Sequence, residues 1–507
     1  MDGSIYGIAI VVYLAVLVGV GVWRSRTVKS QDDFMVAGRS ASWLMLVATL
    51  SCTWIGSGSL FGGAGRAFRG GFSALWMSAG AWVGIAIVFF LAPKVRRIAQ
   101  YTVPDILEKR YTPMARLLGT VAIVIAYLTI ASYQFIGGGK LYAIVSGRPA
   151  QEGQLIIGAL VVLVLVLAGM KSIISLDVFN GVLITGGTLV AAPIILSLAG
   201  GWSGLTQTLP ETHFTVTGAS GILPALGLFF PTFFLLLGES GMYQKFMSAK
   251  SEFDARKAVV GMIIGVVVIE TVLNATAVFG AGLYWTDERF RDAAGAFNQS
   301  ATETIILQLA RFDLPLIAGL VLLLGAVAII FSTATTFLIV PSTNLTRDIF
   351  QRFIRPDADS KTIVLVQRIL VVVLAAGALL VTTQFNSILD MALYAYTMVG
   401  AAVTPALLAA FLWRRVTPIA GTVSVTAGVV TTVVFGGLAQ SGMESLNLGL
   451  FQLPLAYDYI IYPAATLSIL SLIVVSYVTP ESPEEKWRPF WTEAPSGVVD
   501  PGESAAN

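Results

Sequence analysis

The sequence predicts an all-α integral membrane protein with thirteen spans. Its composition, the recurrence of its apolar runs and the distribution of its basic residues point to this class. Of the 507 residues, 56% are hydrophobic and only 12% are charged. Soluble domains carry about 25% charged residues. A chain so poor in charge cannot cover a water-facing surface, and lipid is the solvent that fits. A bilayer core is crossed by about 20 mainly apolar residues. It offers no water to backbone polar groups, so continuous helix is the expected form.

In chain order the predicted spans are Ile5–Trp23, Trp43–Gly65, Phe72–Pro93, Leu117–Val145, Leu155–Met170, Leu176–Ala199, Ile222–Phe246, Ala258–Tyr284, Leu314–Val340, Ile363–Thr383, Ile388–Trp413, Ile419–Ala439 and Tyr459–Tyr477. The first lacks a basic leader and is long, so it reads as a retained helix. With the N-terminus outside, 24 of the 31 basic residues fall on inner segments and 7 on outer ones. The positive-inside rule then predicts N-out and C-in in a plasma membrane. Residues 1–479 read as one transmembrane domain. Residues 480–507, rich in Pro, Glu and Gly, read as a flexible cytoplasmic tail.

Composition also excludes function classes. A net charge of +2 gives no global pull on nucleic acid. Cys52 is the only cysteine and His213 the only histidine. Neither an intrachain disulfide, a zinc cluster nor a Ser-His or Cys-His catalytic pair is expected, so the chain reads as no enzyme.

Two spans are interrupted. The second contains Ser51-Cys52-Thr53-Trp54-Ile55-Gly56-Ser57-Gly58-Ser59, and the seventh contains Gly238-Glu239-Ser240-Gly241. Broken helices at matching positions in two halves mark a transporter binding site near the midplane, where freed carbonyls hold a cation. Glycines that merely permit close helix packing are the competing reading. The ninth span carries Ser332, Thr333, Thr335 and Thr336, with Ser332, Thr335 and Thr336 on one face. Such hydroxyls suit a small hard cation, or they bond back to the preceding turn. Asp177 begins the sixth span, where it is either an intramembrane functional carboxylate or a dipole-stabilising charge. Glu239 lies inside the second break and is expected to face an aqueous cavity. Glu270 and Asp390 also lie within spans, without an assigned role.

Together these residues resemble the sodium:solute symporter family over roughly Ile5 to Tyr477. Asp33-Phe34-Met35-Val36-Ala37-Gly38-Arg39 is similar to its Phe-x-x-Gly-Gly-Arg signature, with Ala37 for the first Gly. Ser332-Thr333 with Asn344-Leu345-Thr346-Arg347-Asp348 resembles its sodium-binding helix, and Tyr243-Gln244-Lys245 its Gln-Arg segment, with Lys245 for Arg. The resemblance implies a leucine-transporter-type five-plus-five inverted repeat, about residues 42–200 and 221–414, with one extra N-terminal and two extra C-terminal helices. It implies sodium-coupled symport of a small polar solute by alternating access. The first sodium site would comprise the carbonyls of Cys52, Ile55 and Ile329 and the hydroxyls of Ser332 and Thr333. A second sodium would use Asp177, Ser332, Thr335 and Thr336. The substrate positions would be Thr53, Trp54, Ser57, Ser59, Trp76, Ser78, Tyr133, Gln134, Glu239, Ser240 and Tyr394. Thr53-Trp54-Ile55-Gly56 is similar to the choline-transporting branch, and Trp54 with Glu239 leans toward an amine-bearing solute, cationic or zwitterionic. The partners implied are the solute, sodium ions and the bilayer. Proton coupling through Asp177 or Glu239, and a membrane sensor on the same fold, are the alternatives.

Overall fold

A computed structural model describes residues 3–26, 31–98, 100–385, 387–447 and 452–491. The first helix, α1 (Gly3–Ser25), precedes α2 (Trp43–Trp54), which ends at an extended residue, Ile55 (φ −76°, ψ 93°). A π-helical turn (Gly58–Gly63) leads into α3 (Ala64–Gly70) and then α4 (Leu75–Ile98). The short α5 (Val103–Arg110) and the long α6 (Pro113–Ser146) follow; both open on a threonine cap with proline in the first turn. Next comes α7 (Ala150–Leu198), divided at Gly169, whose φ is +56°. A Cβ there would also lie 2.8 Å from Phe34, so both backbone and space call for glycine.

The second half repeats the pattern. Helix α8 (Ile222–Gly238) ends at one extended residue, Glu239 (φ −68°, ψ 105°), and α9 (Ser240–Met247) resumes. Helices α10 (Glu252–Tyr284), α11 (Leu316–Asn344), α12 (Ser360–Val381), α13 (Ile388–Ala402) and α14 (Thr404–Leu412) complete it. Helices α15 (Pro418–Gln440) and α16 (Ile461–Val478) pack on each other, joined through a small antiparallel hairpin, β1 (Ser445–Asn447) and β2 (Gln452–Pro454).

Among the described residues twelve helical stretches are long and apolar enough to cross a membrane. The difference from thirteen lies at the first break. There Trp43–Trp54 is a shorter apolar helix, and its continuation runs on with α4 as Gly58–Ile98. Helix α11, buried from Gly325 to Asn344, lies against α6 and α7 at the centre. The segment expected to be a free tail departs from that at α17 (Glu484–Trp491), whose Phe490 is buried edge-on against Phe411 at 5.5 Å. Residues 492–507 lie outside the described residues.

Candidate functional site: two helix breaks and a hydroxyl-rich helix

The break after α2 frees backbone carbonyls that an unbroken helix would use internally. Thr333 on α11 points its hydroxyl at two of them, 3.2 Å from the Cys52 oxygen and 3.4 Å from the Ile55 oxygen. Ile329 is buried one turn earlier on the same helix. Two carbonyls and a hydroxyl therefore converge, and hard oxygens of this type suit sodium.

Ser332 turns elsewhere. Its hydroxyl donates to Asp177 Oδ1 at 2.5 Å, while Thr49 donates to Oδ2 at 2.5 Å. Asp177 is fully buried, so tertiary pairing, not helix capping, holds it. The Lys245 ammonium lies 3.7 Å from Oδ2. It donates to the Thr49 carbonyl at 3.0 Å, to Thr336 Oγ1 at 3.3 Å and to the Thr53 hydroxyl. The residues expected to hold a second sodium thus assemble only in part, around a cation the chain itself supplies. Thr335 does not join them, because its hydroxyl bonds back to the Ser332 carbonyl at 2.8 Å.

Trp54, Ser57, Ser59, Ser78, Tyr133 and Gln134 gather at the first break. Gln134 Oε1 accepts the Ser57 N–H at 3.0 Å, and Trp54 Nε1 and Ser59 Oγ donate to Glu270 Oε1 at 3.0 and 2.9 Å. Ser78 of α4 is a further neighbour of Glu270. Tyr133 meets Tyr396, hydroxyl to hydroxyl, at 3.2 Å. Glycine at 58 leaves room for the Tyr396 hydroxyl, which a Cβ there would approach to 2.5 Å.

Three expected substrate positions are corrected as well. Tyr394 points away and packs on Phe385 and Tyr457; Tyr396 is the tyrosine at the break. Two helical positions differ by about 200°, so only one of the pair can face inward. Trp76 donates to the Val216 carbonyl at 2.9 Å and lines an apolar groove with Phe72 and Phe214. Glu239 does not face open water. Its oxygens cap α9, accepting from Gly241 and Met242 at 2.9 and 2.5 Å, and it also accepts from the Tyr127 hydroxyl. Ser240 beside it is buried, with its hydroxyl unpartnered. Sequence reading missed Tyr396 and gave no role to Glu270 or to Lys245 as the partner of Asp177. The available signal was their ionisable or polar character inside apolar spans.

Ion pairs stand at both ends of this centre. At the arginine-rich end Arg116 meets Asp105, Glu108 and Asp348 at 2.5, 2.6 and 2.7 Å. At the other end Lys140 meets Glu303 at 2.7 Å, and Glu303 accepts the Leu389 N–H at 3.1 Å. The space left between Thr53, Trp54, Glu239 and Phe337 is only about 10 Å³. That space is too small to hold an organic solute.

A model of the sodium:solute symporter family matches residues 34–428. The chain belongs to the sodium:solute symporter family. It is 27% identical to the sodium/pantothenate symporter of Escherichia coli (strain K12), covering 92% of this chain and 95% of that one. It is 25% identical to the osmoregulated proline transporter OpuE of Bacillus subtilis (strain 168), covering 95% and 96%. Among solved structures, a Na+-coupled sialic acid symporter in a substrate-bound outward-open state superposes with a TM-score of 0.78 at 15% identity, over 94% of this chain and 99% of that one. The fold is therefore the leucine-transporter-type inverted repeat, and the protein is a multi-pass, sodium-coupled symporter and not an enzyme.

Proposed function

We propose that this symporter moves a small amine-bearing solute, cationic or zwitterionic, inward with one sodium ion per cycle. The observation that carries the sodium reading is Thr333 set against the freed Cys52 and Ile55 carbonyls. A sodium there ties the first broken helix to α11 and favours the outward-open form. Solute then binds beside the break, and the repeats rock to expose both to the cytoplasm. The orientation is N-out and C-in in a plasma membrane, from the basic-residue asymmetry.

One ion is favoured over two because Lys245 already balances Asp177. The donors around Thr333 are neutral, so the entering ion carries net charge. A 100 mV potential contributes about 2.3 kcal/mol per charge, and a tenfold gradient adds about 1.4 kcal/mol. Together they sustain roughly a several-hundred-fold accumulation of a neutral solute. The amine reading draws on the Trp54–Tyr396 ring pair, centroids 6.2 Å apart, whose faces attract cations, and on a relative named for proline.

The test is thermal stability of the purified protein with L-proline, choline or pantothenate, in sodium or potassium salt. A ligand of the folded state raises its stability by mass action. Stabilisation by an amine only in sodium is expected. Equal stabilisation in both salts contradicts sodium coupling and points to a proton-coupled carrier or a sensor.

A further inference from the structure

Six carboxylates are buried among the described residues: Asp105, Asp177, Glu239, Glu270, Glu303 and Asp348. Arg116 pairs with Asp105 and Asp348, Lys245 with Asp177, and Lys140 with Glu303. Glu239 is held by two backbone N–H groups and a tyrosine hydroxyl. Glu270 differs from all of these. Its Oε1 accepts from Trp54 and Ser59, but Oε2 accepts no hydrogen bond, and its neighbours Ser59, Ser78, Trp54 and Trp82 are all neutral.

An unpaired carboxylate inside a membrane span is costly, and a cation relieves it. The surroundings define which kind of cation. Asn274 stands one turn further along α10; its Nδ2 donates to the Glu270 carbonyl at 2.8 Å, leaving Oδ1 without a partner. The same helix therefore offers two unused acceptors one turn apart. Trp54 and Tyr396 stand close by, giving aromatic faces. The cluster holds no positive charge, and its N–H donors are the neutral indoles of Trp54, already given to Oε1, and Trp82.

We propose that Glu270 is the specificity-determining residue of the solute site and binds an organic ammonium through N–H donors, with Asn274 Oδ1 taking a second one. The ligand class is a primary or secondary ammonium. A quaternary ammonium supplies charge without donors and fits less well. The sodium held by Thr333 and the ammonium held by Glu270 then flank the same break, from α11 on one side and α10 on the other. This assignment rests on the amine reading above.

The experiment is sodium-dependent thermal stabilisation of the full chain, titrated with L-proline, N-methyl-L-proline, N,N-dimethyl-L-proline and pantothenate. The zwitterionic proline nitrogen carries two N–H donors, the methyl derivative one and the dimethyl derivative none. Affinity is expected to fall along that series by at least about tenfold, the scale of a charge-assisted hydrogen bond. Glu270→Gln should weaken L-proline by a similar factor and flatten the series, leaving stabilisation by sodium alone unchanged. Glu270→Asp should keep the order with weaker binding. A flat series on the unaltered chain, or L-proline affinity within about twofold in Glu270→Gln, a change well below one charged hydrogen bond, overturns the assignment while the amine reading stands. Binding of pantothenate with none of the amines overturns both. If Glu270→Gln loses its response to sodium, the order of the three proline compounds on the unaltered chain decides.

Discussion

Replacing Lys245 by methionine removes the only cation in contact with Asp177 among the described residues while keeping most of the side-chain volume. The ammonium is 3.7 Å from Asp177 Oδ2, and both side chains are buried. At an effective dielectric of about 20, two charges at that separation attract by about 4 kcal/mol. Breaking a buried pair by removing one partner costs about 3–5 kcal/mol by a separate measure, so the two agree. The single variant should unfold at lower denaturant by that amount in potassium salt. The double variant with Asp177→Asn removes both charges and should recover most of the loss. In sodium the single variant has a second route. The vacated cluster of Asp177, Thr49, Thr53, Thr336 and Ser332 is all oxygen, and sodium can enter it. Sodium at about 100 times its Kd would restore about 2.7 kcal/mol. The Hill coefficient for sodium-driven uptake should rise from about 1 toward 2, its limit being the number of sites. The assays are denaturant unfolding in detergent, in each salt, and uptake by proteoliposomes. A single variant within about 1 kcal/mol of the parent, well short of a broken buried pair, with an unchanged Hill coefficient, would refute the reasoning.

Thr333→Ala deletes the hydroxyl that meets the Cys52 and Ile55 carbonyls. It should raise the half-saturating sodium concentration by about 10–100-fold, the scale of one charge-assisted contact; Ser332→Ala should do less, since Ser332 serves Asp177. Sodium titration of uptake decides, and equal, small effects contradict the placement. Arg116→Met leaves Asp105 and Asp348 buried without their shared partner. The arginine-rich end should lose about 3–5 kcal/mol, read as faster hydrogen exchange at 345–354; unchanged exchange there counts against Arg116 holding this end together. His213 packs edge-on to Trp285 at 4.8 Å, and burial holds its pKa below the usual 6.5. The unfolded chain then takes up a proton that the folded chain does not, so stability is full above pH 6.5 and falls as pH drops below it. Melting of His213→Gln between pH 7.5 and 5 should fall less steeply than the parent's; parallel curves contradict this.

What the sequence determined by itself is what lipid and backbone chemistry dictate locally. Apolar runs separated by charged turns identify the spans, because backbone groups in lipid must bond within their own segment. The two helix breaks were legible as glycine and polar residues inside apolar runs, and they coincide with the extended residues Ile55 and Glu239. The hydroxyl density of α11 marked the helix whose Thr333 meets the freed Cys52 and Ile55 carbonyls. Partner choice was not legible. Ser332 and Thr333 are adjacent in sequence yet serve Asp177 and the broken helix respectively. The composition of each span is equally compatible with Asp177 facing sodium or Lys245, because those residues are separated by 68 positions and meet only through helix packing. The same holds for Glu239, which caps its own helix, and Glu270, which is left with a free oxygen. Both are glutamates in apolar spans, and only the neighbours that tertiary structure brings to each decide whether its charge is satisfied or still open to a ligand.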